Sequence, residues 1–199
     1  SLYSDVVKKY PQSGDAYAAL GLAYYDSGNI KEALHAYQRA KELGYLTTDF
    51  ILNLGALYQR IGQLSKAEQL YKSVLEAKPR EEKAHINLGI IYRKEKKMLL
   101  SEEAYRKAIQ IEPKSIPAHV GLAKTYFDQK KFSLAAQEYQ EGLRIDPANL
   151  DIRSNLGLVY IWWGKLDLAQ KELQKVMEMD PNYGYARTNL DLIEKIKSK

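Results

Sequence analysis

Six letters, NLGALY at 53–58, return nearly unchanged as NLGIIY at 87–92 and NLGLVY at 155–160, spaced by 34 residues and by twice 34. A chain that repeats in fixed phase at this period builds one small unit several times and buries its apolar faces by stacking the copies. Aligned on the glycine of NLG, the sequence falls into five gapless repeats that begin at Gly14, Thr48, Glu82, Ile116 and Leu150. Slot 8 holds Gly21, Gly55, Gly89, Ala123 and Gly157, and slot 11 holds Tyr24, Tyr58, Tyr92, Tyr126 and Tyr160. Slot 20 is Ala33, Ala67, Ser101, Ala135 and Ala169, and slot 24 is Tyr37, Tyr71, Tyr105, Tyr139 and Leu173. Slot 27 is Ala40, Val74, Ala108, Gly142 and Val176. Proline fills slot 32 at 79, 113, 147 and 181, and Pro11 falls in the same phase ahead of the first repeat, preceded by Tyr3 and Val6 at slots 24 and 27.

Within slots 4 to 11, and again from 17 to 28, apolar letters recur at steps of three and four, the period of one helix face. Each repeat therefore predicts two amphipathic helices. Gly28, Gly62 and Gly164 stand at slot 15 between them, where a helix can end in a left-handed residue without a Cβ penalty. Proline at slot 32 has no backbone donor and closes the second helix, whereas Pro117 at slot 2 sits in a first turn, where the missing N–H costs nothing. Small side chains at slots 8, 20 and 27 let backbones approach, and the tyrosines at 11 and 24 fill the space between neighbouring helices.

The combination of LG at slots 7 and 8, Tyr at 11, Ala at 20, an aromatic at 24, Ala at 27 and Pro at 32 resembles the tetratricopeptide repeat family across essentially the whole chain. The resemblance implies an all-α, right-handed superhelical solenoid of antiparallel helix pairs. It implies one TPR domain over 1–199, with repeats 14–47, 48–81, 82–115, 116–149 and 150–183. Residues 1–13 read as the second half of a preceding repeat. Residues 184–199 read as a capping helix, since Asp191 and Glu194 stand where packing repeats carry Gly and Tyr. Departures are few: Tyr45 replaces the first slot-32 proline, Lys96 and Lys130 replace the slot-15 glycine, and slot 4 varies as Tyr17, Ile51, His85, His119 and Arg153.

Composition excludes several classes. With 45% apolar and 28% charged residues the chain is of ordinary globular type, and no apolar run approaches the roughly 18 residues of a membrane span. Its net charge of +5 is interspersed with 25 acids, which argues for solubility rather than a nucleic-acid footprint. The absence of cysteine removes disulfides, thiol nucleophiles and cysteine metal sites, and fits reducing and oxidising compartments alike. The expected location is the cytoplasm, with a periplasmic or membrane-tethered setting left open because the chain begins at Ser1 and reads as a piece of a longer protein.

The resemblance also implies a concave wall lined by the first helix of each repeat, on which family members bind peptides through slots 2, 5, 6, 9, 12 and 13. The residues singled out there are Asn53, Arg60, Lys83, Asn87, Ile90, Arg93, Lys94, Lys124, Phe127, Asn155, Leu158, Trp162 and Asn189. A primary amide offers two donors and an acceptor, so Asn53, Asn87, Asn155 and Asn189 form a broken ladder suited to a peptide backbone, interrupted at Gly121. The alternative is that asparagine is the common family letter, satisfied by water or a neighbouring turn. The cations Arg60, Lys83, Arg93, Lys94 and Lys124 favour a partner segment with acidic residues, unless they pair locally with Asp15, Asp26, Asp49, Asp128 and Asp151. The carboxylate grip of co-chaperone members is not matched, because Pro117 and Gly121 stand where its last cations belong. Trp162 and Trp163 offer either a hot-spot anchor or cover for a turn.

Enzyme chemistry finds no support. His85 and His119 share slot 4 of adjacent repeats, too few ligands for zinc, and no phosphate loop, GxSxG elbow or HExxH helix is present. No cofactor and no metal are expected. The reading is a non-enzymatic adaptor or scaffold that holds a peptide segment of another protein. The alternatives are a self-associating scaffold that forms homo-oligomers and the substrate-recruiting part of a larger enzyme. RNA binding is an outsider, because related RNA-binding arrays use a 35-residue period and this phase of 34 never slips.

Overall fold

A computed structural model describes residues 2–198, with side chains from residue 5 onward. Ser1, Lys199 and the side chain of Tyr3, expected in the end helices, lie outside the described residues. All regular structure described is helical: α1 (Leu2–Lys9), α2 (Gly14–Asp26), α3 (Ile30–Glu42), α4 (Thr48–Arg60), α5 (Leu64–Ala77), α6 (Glu82–Lys94), α7 (Met98–Ile111), α8 (Ile116–Asp128), α9 (Phe132–Ile145), α10 (Leu150–Trp162), α11 (Leu166–Met179) and α12 (Gly184–Lys197). None of them is long and apolar enough to cross a membrane. Two compact units divide the chain, Ser1–Ile91 and Tyr92–Lys199, with the division inside α6.

In the first unit the core gathers Ala33, Tyr37, Ala40, Phe50, Leu54 and Leu57. Phe50 receives Tyr37 and Tyr45 edge-on, each with ring centroids 5.6 Å away. Large and small slots meet here as the alternation requires. A Cβ on Gly21 would sit 2.5 Å from Tyr37 Cδ1, and one on Gly55 would sit 2.5 Å from Tyr71 Cε1. These glycines are therefore demanded by the rings beside them. Tyr37 and Tyr71 are almost wholly buried, which pushes both phenols well above their ordinary range and keeps them neutral.

The second unit repeats the scheme with a core of Tyr105, Ala108, Leu122, Ala123, Tyr126, Tyr139, Leu156, Val159, Leu173, Val176 and Ile193. Leu173 replaces the slot-24 tyrosine and packs against Gly157, where an added Cβ would be 2.7 Å from its Cγ. An ion-paired clasp joins α7 to the turn between α8 and α9. The buried Glu102 carboxylate pairs with Arg106 at 2.7 Å and Lys131 at 3.5 Å, and accepts from Gln129 Nε2 at 3.4 Å.

Slot 34 supplies the N-caps of the first helices. The side-chain oxygens of Ser13, Thr47, Ser115 and Asn149 accept from the backbone N–H of Ala16, Phe50, Ala118 and Ile152, three residues on. The turns between paired helices carry a left-handed residue at slot 15: Gly28, Gly62 and Gly164 have φ between 75° and 80°, and Lys96 and Lys130 have φ of 59° and 58°. A residue with a Cβ pays about 1 kcal/mol or more in that region. Lys130→Gly is therefore expected to stabilise the protein by about 0.5–1 kcal/mol. Thermal unfolding of the variant measures this, and an unchanged or lower midpoint contradicts the strain account.

Candidate functional site

The first helices of the repeats carry the residues singled out above, and each unit presents its own cleft. In the second unit a cleft of about 660 Å³ lies among α8, α10 and the start of α12. Ile116, Pro117, Val120 and Ile152 make its apolar surface, and Lys124, Asn149, Asp151 and Asn155 supply polarity. Tyr183 and Tyr185 close one end. Tyr183 stands at slot 34, the position at which Ser13, Thr47, Ser115 and Asn149 cap their helices. It caps nothing; its hydroxyl reaches back to donate to the Asp151 carboxylate. Burial, followed by this bond to a carboxylate, pushes the Tyr183 phenol up to about 12.

The cations separate into two groups. Arg60 is committed within the first unit: Nη1 donates to the Tyr25 carbonyl at 3.2 Å and the guanidinium lies over the Tyr25 ring at 5.1 Å. Arg93 is committed within the second, pairing with Asp128 at 2.9 Å. Lys83, Lys94 and Lys124 are exposed and have no carboxylate partner among the described residues. Of these three, only Lys124 lines the cleft of the second unit.

Asparagines at slot 6 differ as well. Asn53 and Asn155 are half-buried and each lines a cleft, Asn53 that of the first unit. Asn87 is half-buried and Asn189 is only 6% exposed, its Nδ2 without a partner. Asn189 is thus enclosed rather than presented. The gap at Gly121 has a positive cause: the Tyr105 ring occupies the place of a side chain there. A Cβ at 121 would fall inside the contact distance of Tyr105 Cε1 and Cζ and lie 2.8 Å from Cδ1.

Ile90 and Leu158 are half-buried. Phe127, also half-buried, meets Trp162 and Phe132 edge-on with centroids 6.3 and 5.7 Å apart. Trp162 is 64% exposed, so this pair presents an aromatic edge. Trp163 lies stacked on Tyr160 at 6.3 Å with Lys165 above it, covering the turn.

From the third repeat onward, the polar residues at slot 4 share a task. His85 Nε2 lies 3.0 Å from the carbonyl of Pro79, and His119 Nε2 lies 3.1 Å from that of Pro113. Arg153 and Arg187 donate through Nη2 to Pro147 and Pro181 at 2.7 Å each. The residue six places after Pro79, Pro113, Pro147 and Pro181 thus holds that proline's carbonyl. His119 Nδ1 and Arg153 Nη1 also reach Glu138 and Glu172, both at 2.7 Å. These side chains tie repeat to repeat. Among the described residues no group of three or more His, Asp or Glu is placed to hold a metal ion.

Of the residues lining this cleft, the sequence singles out Lys124 and Asn155 but gives no role in it to Asn149, Tyr183 and Tyr185. The signal lay in slot 34, where Tyr183 follows Ser13, Thr47, Glu81, Ser115 and Asn149 as the one aromatic residue.

Comparison with known proteins matches "Tetratricopeptide repeat" models over residues 14–44, 52–116 and 150–183 and a "TPR repeat" model over 123–161. No curated protein matches. Among solved structures, a tetratricopeptide repeat protein from Parabacteroides merdae superposes with a TM-score of 0.81 at 18% identity, covering 98% of this chain and 78% of that one. YrrB, described as a TPR protein with an unusual peptide-binding site, superposes at 0.69 with 16% identity, over 96% of this chain and 98% of that one. The Cut9 and Hcn1 hetero-tetramer of the APC/C gives 0.80 at 20% identity, and there the match spans 96% of this chain and only 38% of that one.

Proposed function

Because this chain belongs to the tetratricopeptide repeat family, a fold that serves in general as a non-catalytic scaffold for protein interaction, we propose that it binds an extended segment of a partner protein on the first helices of its repeats. The observation that carries this reading is the cleft around Lys124 and Asn155. It combines an apolar surface for one aliphatic side chain, an amide for the partner's backbone, and a cation that has no carboxylate partner among the described residues, the Asp151 carboxylate in the same lining being taken by the Tyr183 hydroxyl. A segment bearing an acidic residue beside an aliphatic one fits this chemistry, since a charge-assisted bond to Lys124 adds to burial over Val120 and Ile152.

Fluorescence anisotropy with labelled decapeptides of that composition tests it. Lys124→Glu is expected to weaken capture by about tenfold, and Asn155→Ala by a smaller factor. Wild-type affinity in both variants sinks the proposal.

One observation favours self-association as a second reading. Leu100, Leu134 and Leu168 recur 34 residues apart on α7, α9 and α11 and remain 45%, 37% and 46% exposed, whereas Glu32 and Lys66 hold the same slot earlier in the chain. Sedimentation velocity across a concentration range reads this directly, and a monomer at all concentrations removes it.

A further inference from the structure

The first unit holds a cleft whose chemistry is the reverse of that around Lys124. It measures about 340 Å³ and lies between α2 and α4. Ala18, Leu22 and Phe50 give it an apolar surface, and no lysine or arginine lines it. Asp15 and Asp49 stand in the first turns of α2 and α4, both exposed and both part of the lining. Among the described residues neither carboxylate has a lysine or arginine partner. The Ser13 hydroxyl donates to Asp15 and, followed by the Ala16 backbone N–H, lowers its pKa, so the anion is the resting form.

A second feature is independent of the carboxylates. Tyr37, only 1% exposed, lines the cleft, and its buried hydroxyl has no hydrogen-bond partner among the described residues. An orphaned buried hydroxyl is destabilising relative to a satisfied one. A ligand that reaches it recovers that loss. Asn53 also lines the cleft, and its side chain adds a carbonyl acceptor.

We propose that this cleft seats a basic side chain of a partner protein, its aliphatic stem along Leu22 and Phe50 and its cationic head between the carboxylates of Asp15 and Asp49. Arginine is the best match. Its guanidinium has five N–H donors and no acceptor, and the cleft offers acceptors in Asp15, Asp49, Asn53 Oδ1 and Tyr37 Oη. A lysine stem would fit the apolar surface equally but would bring a compact charge with three donors. The two clefts thus select opposite charges in the same partner or in two partners. This assignment does not rest on the Lys124 cleft, and either can fail alone.

Titration of the ¹⁵N-labelled chain with N-acetyl-arginine amide tests the assignment by ¹H–¹⁵N correlation. Amide shifts are expected at Asp15, Ala18, Asp49 and Asn53, with those around Lys124 and Asn155 unmoved. The neutral isostere N-acetyl-citrulline amide is expected to bind about tenfold more weakly, as is the arginine probe to the Asp15→Asn, Asp49→Asn double variant. The citrulline arm leaves the protein unaltered, so it reads the charge requirement even if the double variant is unstable. Equal affinity for the two probes, or arginine shifts that avoid this cleft, overturns the assignment.

Discussion

Replacing Gly121 with asparagine is expected to destabilise the protein by about 3 kcal/mol, although it completes the asparagine ladder at slot 6. Helix propensity points the other way, because glycine inside a helix costs up to about 1 kcal/mol relative to a residue with a side chain. Contact decides the sign. Tyr105 is 2% exposed and its ring lies where the new Cβ must go, so relief requires moving a ring packed on every side. Burial also pushes the Tyr105 phenol up to about 12, which marks how completely the ring is enclosed. Tyr105→Ala alone is expected to cost about 3–5 kcal/mol through the cavity it leaves. Adding Gly121→Asn to that variant should cost under about 1 kcal/mol, because the space is then vacant. Urea unfolding of the two single variants and the double variant closes the cycle. Additive losses would show that the ring and the glycine do not share this space.

The second large effect is expected at Arg153. Arg153→Met should cost about 2 kcal/mol at neutral pH. The guanidinium bridges Glu172 at 2.7 Å and the Pro147 carbonyl at 2.7 Å, with side-chain exposures of 13% for Arg153 and 15% for Glu172. Removing it strands a largely buried carboxylate that keeps only Lys175, at 2.8 Å. The loss should depend on pH with a definite sign. Burial alone raises the Glu172 pKa, but hydrogen bonds from Lys175 and Arg153 outweigh it and hold the group below its ordinary value. A carboxylate depressed in the folded state contributes its stability above the unfolded value and loses it as pH falls through the folded value. Wild type and Arg153→Met should therefore differ most near neutrality and converge as acid protonates Glu172. Parallel pH-stability curves would refute this account.

Particular residues separate what was legible from what was not. The helices, their pairing and the left-handed turns at Gly28, Gly62 and Gly164 could be read from the 34-residue phase. Each depends on residues close in sequence: a face repeats every three to four positions, and a turn needs one residue that tolerates positive φ. Lys96 and Lys130 replace that glycine, yet the backbone is left-handed there too, so the architecture imposes the conformation that the residue disfavours. The irregular letters at slot 4 made no pattern as hydrophobes. From His85 onward they make one as donors to a proline carbonyl six residues earlier, a geometry that exists only once the chain has turned back on itself.

The groove residues show the same division. Nothing in the sequence separates Arg93, held by Asp128, from Lys124, which has no such partner, because the pairing joins residues 35 apart. Likewise Gly121 read as a missing amide until the Tyr105 ring was found in its place. By itself the sequence determined the repeat, the all-helical fold and the family, since these follow from volume and periodicity within one 34-residue unit. Only the tertiary structure decided which charges are already spent, which amides are enclosed, and where acidic and basic clefts open. Those properties belong to pairs of side chains brought together by stacking, and no single repeat contains them.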